Sequence, residues 1–144
     1  MDEGEAITRL RAARVGRLAT VTPEGSPHVV PLVFVVLERV GGLVAYWVVD
    51  EKPKRSRRLQ RLRNIETNPS VAVLVDEYSD DWGRLWWVRA DGTGRVVRSR
   101  SERVAALDAL HAKYQQYAIT PPNGPVVAVD IERVTGWAAD DAKT

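Results

Sequence analysis

The residues with the clearest chemical potential form a basic run, KPKRSRRLQRLRN, over Lys52–Asn64. Its first twelve residues include seven of the chain's 21 lysines and arginines and no acid, although the formal net charge is only +2. Apolar residues recur every three positions over Leu59–Ile65 and Pro69 follows, which predicts a helix over residues 56–67. Positive charge is therefore concentrated in one helix and the loop before it.

This arrangement is suited to bind an anion. At 100° per residue, Arg57, Arg61 and Asn64 fall on one helical face, and Lys52 and Lys54 precede the helix. The free N–H groups and positive dipole end at a helix start favour a phosphate or a similar anion. Two other interpretations remain open: a solvated helix face, and a nucleic-acid surface with tryptophans for base stacking. Because the rest of the chain is close to neutral, we expect no nucleic-acid partner.

The sequence contains no recognisable set of catalytic side chains. There is no cysteine, and the two histidines, His28 and His111, fall on different predicted elements, so no metal site is expected. We interpret both histidines as structural residues. If the protein is an enzyme, a cofactor supplies the chemistry, and the chain supplies binding and orientation.

Two of the five tryptophans, Trp86 and Trp87, are adjacent in a predicted strand. Successive side chains of a strand point to opposite faces, so one tryptophan enters the core and the other faces outward. An outward indole would be an exposed apolar patch unless something covers it. It is therefore either a structural residue under a helix, part of a subunit interface, or the wall of a ring-binding pocket.

The elements predicted around these residues are mainly β-strands. Six strands are predicted, at residues 17–21, 28–37, 43–49, 71–76, 85–90 and 126–137, with helices at 3–13, 56–67 and 100–117. Most consecutive strands lack an intervening helix, which indicates a small barrel decorated by helices. The first three strands are apolar at nearly every position, so we expect both of their faces to be buried.

Length and composition indicate one domain, residues 1–144, of an ordinary globular protein with 44% hydrophobic and 28% charged residues. The longest apolar runs are far shorter than a membrane span. The acidic N-terminus lacks the order of charges found in a secretory signal. We therefore expect a cytoplasmic protein with no membrane partner.

Three segments together resemble a known family: GRLATVTPEGSPHVVPLVF, DEKPKRSRRLQRLRNIETNPSVAVLVD and DDWGRLWWVRADGTGRV. In this order after an N-terminal helix, they resemble the pyridoxamine-phosphate-oxidase-like split-barrel flavoproteins. They look closest to the actinobacterial branch of coenzyme F-420 (deazaflavin)-dependent oxidoreductases. The resemblance covers about Ile7 to Trp137, and RLRNIETNPSVAVLV is its most specific part.

The resemblance implies a mainly β fold, a six-stranded antiparallel split β-barrel that forms a homodimer, with cofactors in grooves between the subunits. It also implies which residues bind the cofactor. The anionic tail would be held by Lys52, Lys54, Arg55, Arg57 and Arg61, with Asn64 in support. The ring would lie along Val30, Pro31, Trp47, Val48 and Val49. The pocket would be closed by Trp86 or Trp87, and we choose Trp87.

The number of basic residues favours F-420 over FMN as the cofactor. The single phosphate of FMN needs few positive partners, whereas F-420 carries a phosphodiester followed by several glutamate carboxylates. The leading hypothesis is an oxidoreductase that transfers a hydride from reduced F-420 to a planar small-molecule electron acceptor. The alternatives are an FMN-dependent oxidase or reductase and a non-catalytic cofactor-binding protein.

Overall fold

A computed structural model describes the chain over residues 1–49 and 55–139, with side chains for residues 1–49 and 60–139. The helices are α1 (Glu3–Ala12), α2 (Arg55–Thr67), α3 (Arg100–Lys113) and α4 (Gln115–Ile119). The strands are β1 (Gly16–Val21), β2 (Pro27–Leu32), β3 (Val35–Arg39), β4 (Gly42–Val48), β5 (Ser70–Glu77), β6 (Trp86–Val96) and β7 (Val126–Ala138). A short 3₁₀ turn, Trp82–Arg84, connects β5 to β6.

The helix starts follow from capping residues in the sequence. The Asp2 side chain accepts a hydrogen bond from the Glu5 N–H at 2.8 Å, and Ser99 caps α3 in the same way. The helix predicted over residues 100–117 is interrupted at Tyr114, which has an extended backbone, so that α3 and α4 are separate. None of the helices in the described part of the chain is long and apolar enough to cross a bilayer.

The described residues form seven strands, so the predicted count of six is wrong. The run predicted as one strand, residues 28–37, is divided into β2 and β3 by Val33 and Phe34. All pairs in the sheet are antiparallel, and the strand order is β2-β1-β5-β6-β7-β4-β3. The apolar pattern did not show the division because both halves, and the residues between them, are apolar.

The sheet curls because its two edge strands are consecutive in the chain. β2 and β3 lie at opposite ends of the strand order, yet only Val33 and Phe34 join them. The three residue steps from Leu32 to Val35 span at most about 11 Å, so the ends of the sheet must approach each other. The edges do not pair with each other, and the barrel stays open between them. The fold is therefore the predicted one, a mainly β split barrel with helices.

Two apolar clusters form the core. One fills the barrel and includes Phe34 and Trp47, and the other lies between the sheet and α3 and includes Tyr46 and Leu110. Burial on both faces, predicted for the first three strands, is correct for most of β4. It is wrong for β1, which alternates between buried and more exposed residues, and for β2, where only Leu32 is buried.

Candidate functional site

The barrel is open between its edge strands β2 and β3, and the last residues of β4, Trp47–Val49, extend past the start of β3; we call this opening the split. On the β2 side, the Thr22 N–H donates to the Ser26 carbonyl at 2.8 Å. Hydrogen-bonded and non-hydrogen-bonded residue pairs alternate along an antiparallel pair of strands, so every second residue of β2 after Ser26 is hydrogen-bonded to β1. The backbone groups of Pro27, Val29 and Pro31 therefore point away from β1. Proline has no N–H, so this edge presents carbonyl groups and the single N–H of Val29.

On the β4 side, the split is bordered by the backbone of Val48. The Val49 N–H donates to the Pro125 carbonyl of the chain leading into β7 at 2.9 Å, so the pair of Val48 with Val126 is a non-hydrogen-bonded one. The N–H and C=O of Val48 consequently point to the β3 side. β3 begins only at Val35, opposite Tyr46, so it offers Val48 no partner. A donor and an acceptor on one residue are thus directed into the split.

Buried nitrogen atoms without partners occur on both strands that border the split. Among the described residues, His28 Nδ1 on β2 and Trp47 Nε1 on β4 have no hydrogen-bond partner and almost no exposed surface. Such groups are uncommon in folded proteins because a buried polar atom without a bond is costly. We therefore take these two strands as the candidate ligand-binding region.

The basic residues of the predicted anion site belong to α2 and to the loop before it. Lys52 and Lys54 lie outside the described residues, and so do the side chains of Arg55 and Arg57, whose backbone forms the first turn of α2. Arg61 is half-buried, whereas Arg63 is exposed, as expected for different helical faces.

Asn64 is fully buried, and its amide is used to attach α2 to the barrel. Its Oδ1 accepts from Gln60 Nε2 at 2.6 Å, and its Nδ2 donates to Thr20 Oγ1 on β1 at 3.1 Å. Ile65, next along the helix, is also buried in the barrel core. The Asn64 amide therefore fixes the position of the helix that carries the arginines.

A charged network fixes the strand that leads to the split. Tyr46 of β4 donates to Glu102 of α3 at 2.6 Å, and Arg95 of β6 bonds Glu102 at 2.7 and 2.8 Å and Asp130 at 2.7 Å. The hydrogen bonds from Arg95 lower the pKa of Glu102 to about 2. Burial, with the nearby Glu102, raises the pKa of Tyr46 to about 12. The network therefore persists at neutral pH with Glu102 ionised and Tyr46 protonated.

Trp87 lies on the outer face of the sheet, in a groove of about 520 Å³. The groove crosses β6, β5 and β1 to Val29 of β2, and its lining is Arg17, Ala19, Val29, Ala72, Leu74, Asp76, Tyr78, Trp87 and Arg89. Trp86 takes the opposite side, where its ring lies 4.9 Å from the Arg9 guanidinium and its Nε1 donates to Glu77. The structure thus distinguishes the two tryptophans, which their sequence positions could not do.

The predicted ring-binding residues fall into three environments. Pro31, like Val29, has its backbone groups on the open edge of β2, and those of Val48 point to the side of β4 that β3 leaves unpaired. The side chains of Val30, Trp47 and Val49 pack in or against the barrel core. Their backbone groups are directed toward β1 for Val30 and toward β7 for Trp47 and Val49, away from the split. Trp87 stands apart from this set, on the outer face.

Several residues of the site were not selected from the sequence. His28 was interpreted as structural, and Arg17 and Arg89 of the outer groove were not considered. The alternation of Arg17 with Leu18 and of Arg89 with Val88 marks an outward-facing polar side and could have revealed them. No group of three metal-ligating side chains occurs within the described ranges.

One curated relative shares part of the sequence. It is the 5a,11a-dehydrotetracycline/5a,11a-dehydrooxytetracycline reductase of Streptomyces rimosus, 38% identical over 71 residues. The match covers 49% of this chain and 46% of the relative, so the chain spans about half the length of that protein.

Solved structures share the fold over almost the whole chain. A conserved hypothetical protein from Mycobacterium tuberculosis has a TM-score of 0.75 at 18% identity, and the match covers 100% of this chain and 89% of that one. A FAD-binding protein from Mesorhizobium loti has a TM-score of 0.64 at 25% identity, with 94% of both chains covered.

The sequence pattern described as pyridoxamine 5'-phosphate oxidase matches residues 3–138, which include every strand of the split barrel and both sides of the split. With the fold and the sequence pattern in agreement over this length, the chain belongs to the pyridoxamine 5'-phosphate oxidase family.

Proposed function

We propose that the protein is an F-420-dependent oxidoreductase that reduces a planar small-molecule acceptor. At the family level the chain is related to flavin-type oxidoreductases. The observation that carries the proposal is the set of unused hydrogen-bonding groups at the split. The N–H and C=O of Val48 point to the side of β4 that β3 leaves unpaired, and the buried nitrogen atoms of His28 on β2 and Trp47 on β4 have no hydrogen-bond partner.

These groups suit the ring of a flavin or deazaflavin. Both rings carry an edge of alternating carbonyl and N–H groups, which needs donors and acceptors in one plane. A strand edge presents backbone donors and acceptors in that way. The residues that fit this role are Val48 on β4 and Val29 and Pro31 on β2.

The basic run supports F-420 rather than FMN. Seven positive charges follow β4 within twelve residues, and α2, which carries five of them, begins there. A longer anion than one phosphate is needed to use so many charges. The proposed tail-binding residues are Lys52, Lys54, Arg55, Arg57 and Arg61.

Reduced F-420 supplies a hydride when it is bound, and the acceptor must lie against its ring. The protein's own residues bind the tail, hold the ring edge and exclude water. A planar polycyclic acceptor is consistent with the relative from Streptomyces rimosus, whose name describes the reduction of a dehydrotetracycline. Hydride transfer needs no acidic or nucleophilic side chain, in agreement with the sparse catalytic inventory.

We further propose that the protein is a homodimer that uses the outer face of the sheet. Large apolar side chains remain exposed on this face and next to it, among them Val29 at 62%, Tyr78 at 64% and Trp82 at 77%. Monomeric proteins rarely leave such residues together in water. A second copy placed on this face would cover the groove beside Trp87.

Parallel titrations of the purified protein with F-420 and FMN test the proposed cofactor. We expect F-420 to bind more tightly and with a steeper dependence on salt, because more charges are paired and then screened. Arg61→Ala should weaken F-420 binding about ten- to a hundredfold, since a charge-assisted hydrogen bond contributes about 1.5–3 kcal/mol.

Arg63→Ala is the matched control, because Arg63 is exposed on another face of the same helix. It should leave F-420 affinity nearly unchanged. Equal effects of the two substitutions, or FMN binding as tight as F-420 binding, would contradict the proposal and favour the FMN-dependent alternative. Tight F-420 binding without turnover of any acceptor would favour a cofactor-binding protein.

A further inference from the structure

Helix α3 contacts both sides of the split. Glu102, in its first turn, accepts a hydrogen bond from Tyr46, two residues before Val48 on β4. Tyr114, at its C-terminal end, bonds to the backbone of Phe34, which joins β2 to β3. Twelve residues separate Glu102 from Tyr114, which corresponds to about 18 Å of helix. A rigid element of fixed length therefore connects the strand that carries Val48 to the end of β2.

The contacts at the C-terminal end are buried and numerous. The Tyr114 hydroxyl accepts from the Phe34 N–H at 3.1 Å and lies 2.9 Å from the carbonyl oxygens of Phe34 and Arg14. Lys113 Nζ donates to the carbonyls of Phe34 at 2.8 Å and Ala13 at 2.7 Å. Two side chains thus hold every backbone polar group of Phe34.

The contacts of Tyr114 and Lys113 are not needed merely to attach α3 to the sheet. α3 already buries Ala106 and Leu110 against the sheet. An ammonium group is costly to bury, and burial, with the nearby Arg14, lowers the pKa of Lys113 to about 8. This unfavourable burial of Lys113 occurs at the junction where the chain passes from β2 to β3, which is where the barrel is open.

We propose that α3 sets the width of the split, and that Tyr114, Lys113 and Glu102 are positioning residues for the cofactor ring. The inference rests on the proposed function, because it assumes a ring between β2 and β4. None of the three residues needs to touch the ring. They act through Phe34 and Tyr46, whose positions determine how far Val48 lies from the edge of β2.

The test is Tyr114→Phe, which removes the hydroxyl and keeps the ring. F-420 affinity of the folded protein should fall about tenfold, because the β2–β3 junction is no longer held at one distance from Val48. The slope of affinity against salt should stay that of the wild type, since the tail-binding charges are unchanged. Arg61→Ala should change the slope, so the two measurements separate an effect on the ring from an effect on the tail.

Val75→Ala is the control for a loss of stability alone. Val75 is buried in β5, two strands from β2 and three from β4. It should lower the unfolding midpoint without changing F-420 affinity at a temperature where the protein is folded. If Tyr114→Phe does not fold, Lys113→Met provides the same test, because it removes the bonds to Phe34 and Ala13.

The outcomes distinguish the two proposals. Wild-type affinity in folded Tyr114→Phe or Lys113→Met would overturn the positioning role and leave the proposed function intact. The same loss of affinity in Val75→Ala would also overturn it, since stability alone would explain the effect. If the wild-type protein binds neither F-420 nor FMN, the proposed function fails and the positioning role fails with it.

Discussion

Replacement of Glu102 by glutamine tests how strongly the charged network attaches α3 to the sheet. Glu102 receives hydrogen bonds from Arg95 and Tyr46, and its side chain is only 13% exposed. Glutamine has nearly the same shape but no charge, and its amide group would face the donors of Arg95. The substitution therefore removes the charge and keeps the packing.

The size of the effect follows from the pKa. The pKa of Glu102 is about 2, against an ordinary value of 4.5, and each pH unit between them corresponds to about 1.4 kcal/mol. Full ionisation would contribute about 3 kcal/mol to the free energy of unfolding. Because the Arg95 side chain is 40% exposed, solvent screening reduces this to about 2 kcal/mol.

The sign of the pH dependence is determined by the lowered pKa. A carboxyl group with a lowered pKa stabilises the fold fully above pH 4.5, and this contribution is lost as the pH falls toward 2. Glu102→Gln should therefore be less stable than the wild type by about 2 kcal/mol at pH 7 and by about 1 kcal/mol at pH 3.

Urea unfolding followed by tryptophan fluorescence measures both differences. Asp91→Asn is the control, because Asp91 pairs with Arg89 at 3.1 Å in a more exposed position and should lose less than about 1 kcal/mol. The reasoning is refuted if Glu102→Gln costs no more than Asp91→Asn at pH 7, or if its cost is the same at pH 3.

Two further predictions concern the outer face and the tryptophans. Sedimentation at micromolar concentration should show a dimer of the 16.1 kDa chain, because Val29 and Tyr78 are exposed along the groove beside Trp87; a stable monomer would contradict this. Trp86→Ala should cost about 2 kcal/mol of stability, since its ring packs against the core below Arg9. Trp87→Ala should cost less than about 1 kcal/mol and should instead weaken dimerisation and F-420 binding; similar losses of stability in both variants would argue against their assignment to opposite faces.

Local features of the fold could be predicted from the sequence. Ser99 with Glu102 predicted the start of α3, and Pro69 predicted the end of α2, because caps and helix breakers act within a few residues. The basic run could be proposed as an anion site for the same reason, since its residues are neighbours in the sequence. The sequence could assign Trp86 and Trp87 to opposite faces of the strand, but it could not show which of the two faces the core.

The split itself was decided by the tertiary structure. Residues 29–37 are apolar throughout, so no local signal shows that the chain leaves one edge of the sheet at Val33 and joins the other edge at Val35. That change depends on Tyr114 and Lys113, about 80 residues away, which bind the Phe34 backbone. The partner of Asn64 was equally hidden, because Thr20 lies 44 residues before it. Contacts at such separations depend on the closure of the whole sheet, whereas caps, turns and charge runs depend only on neighbouring residues.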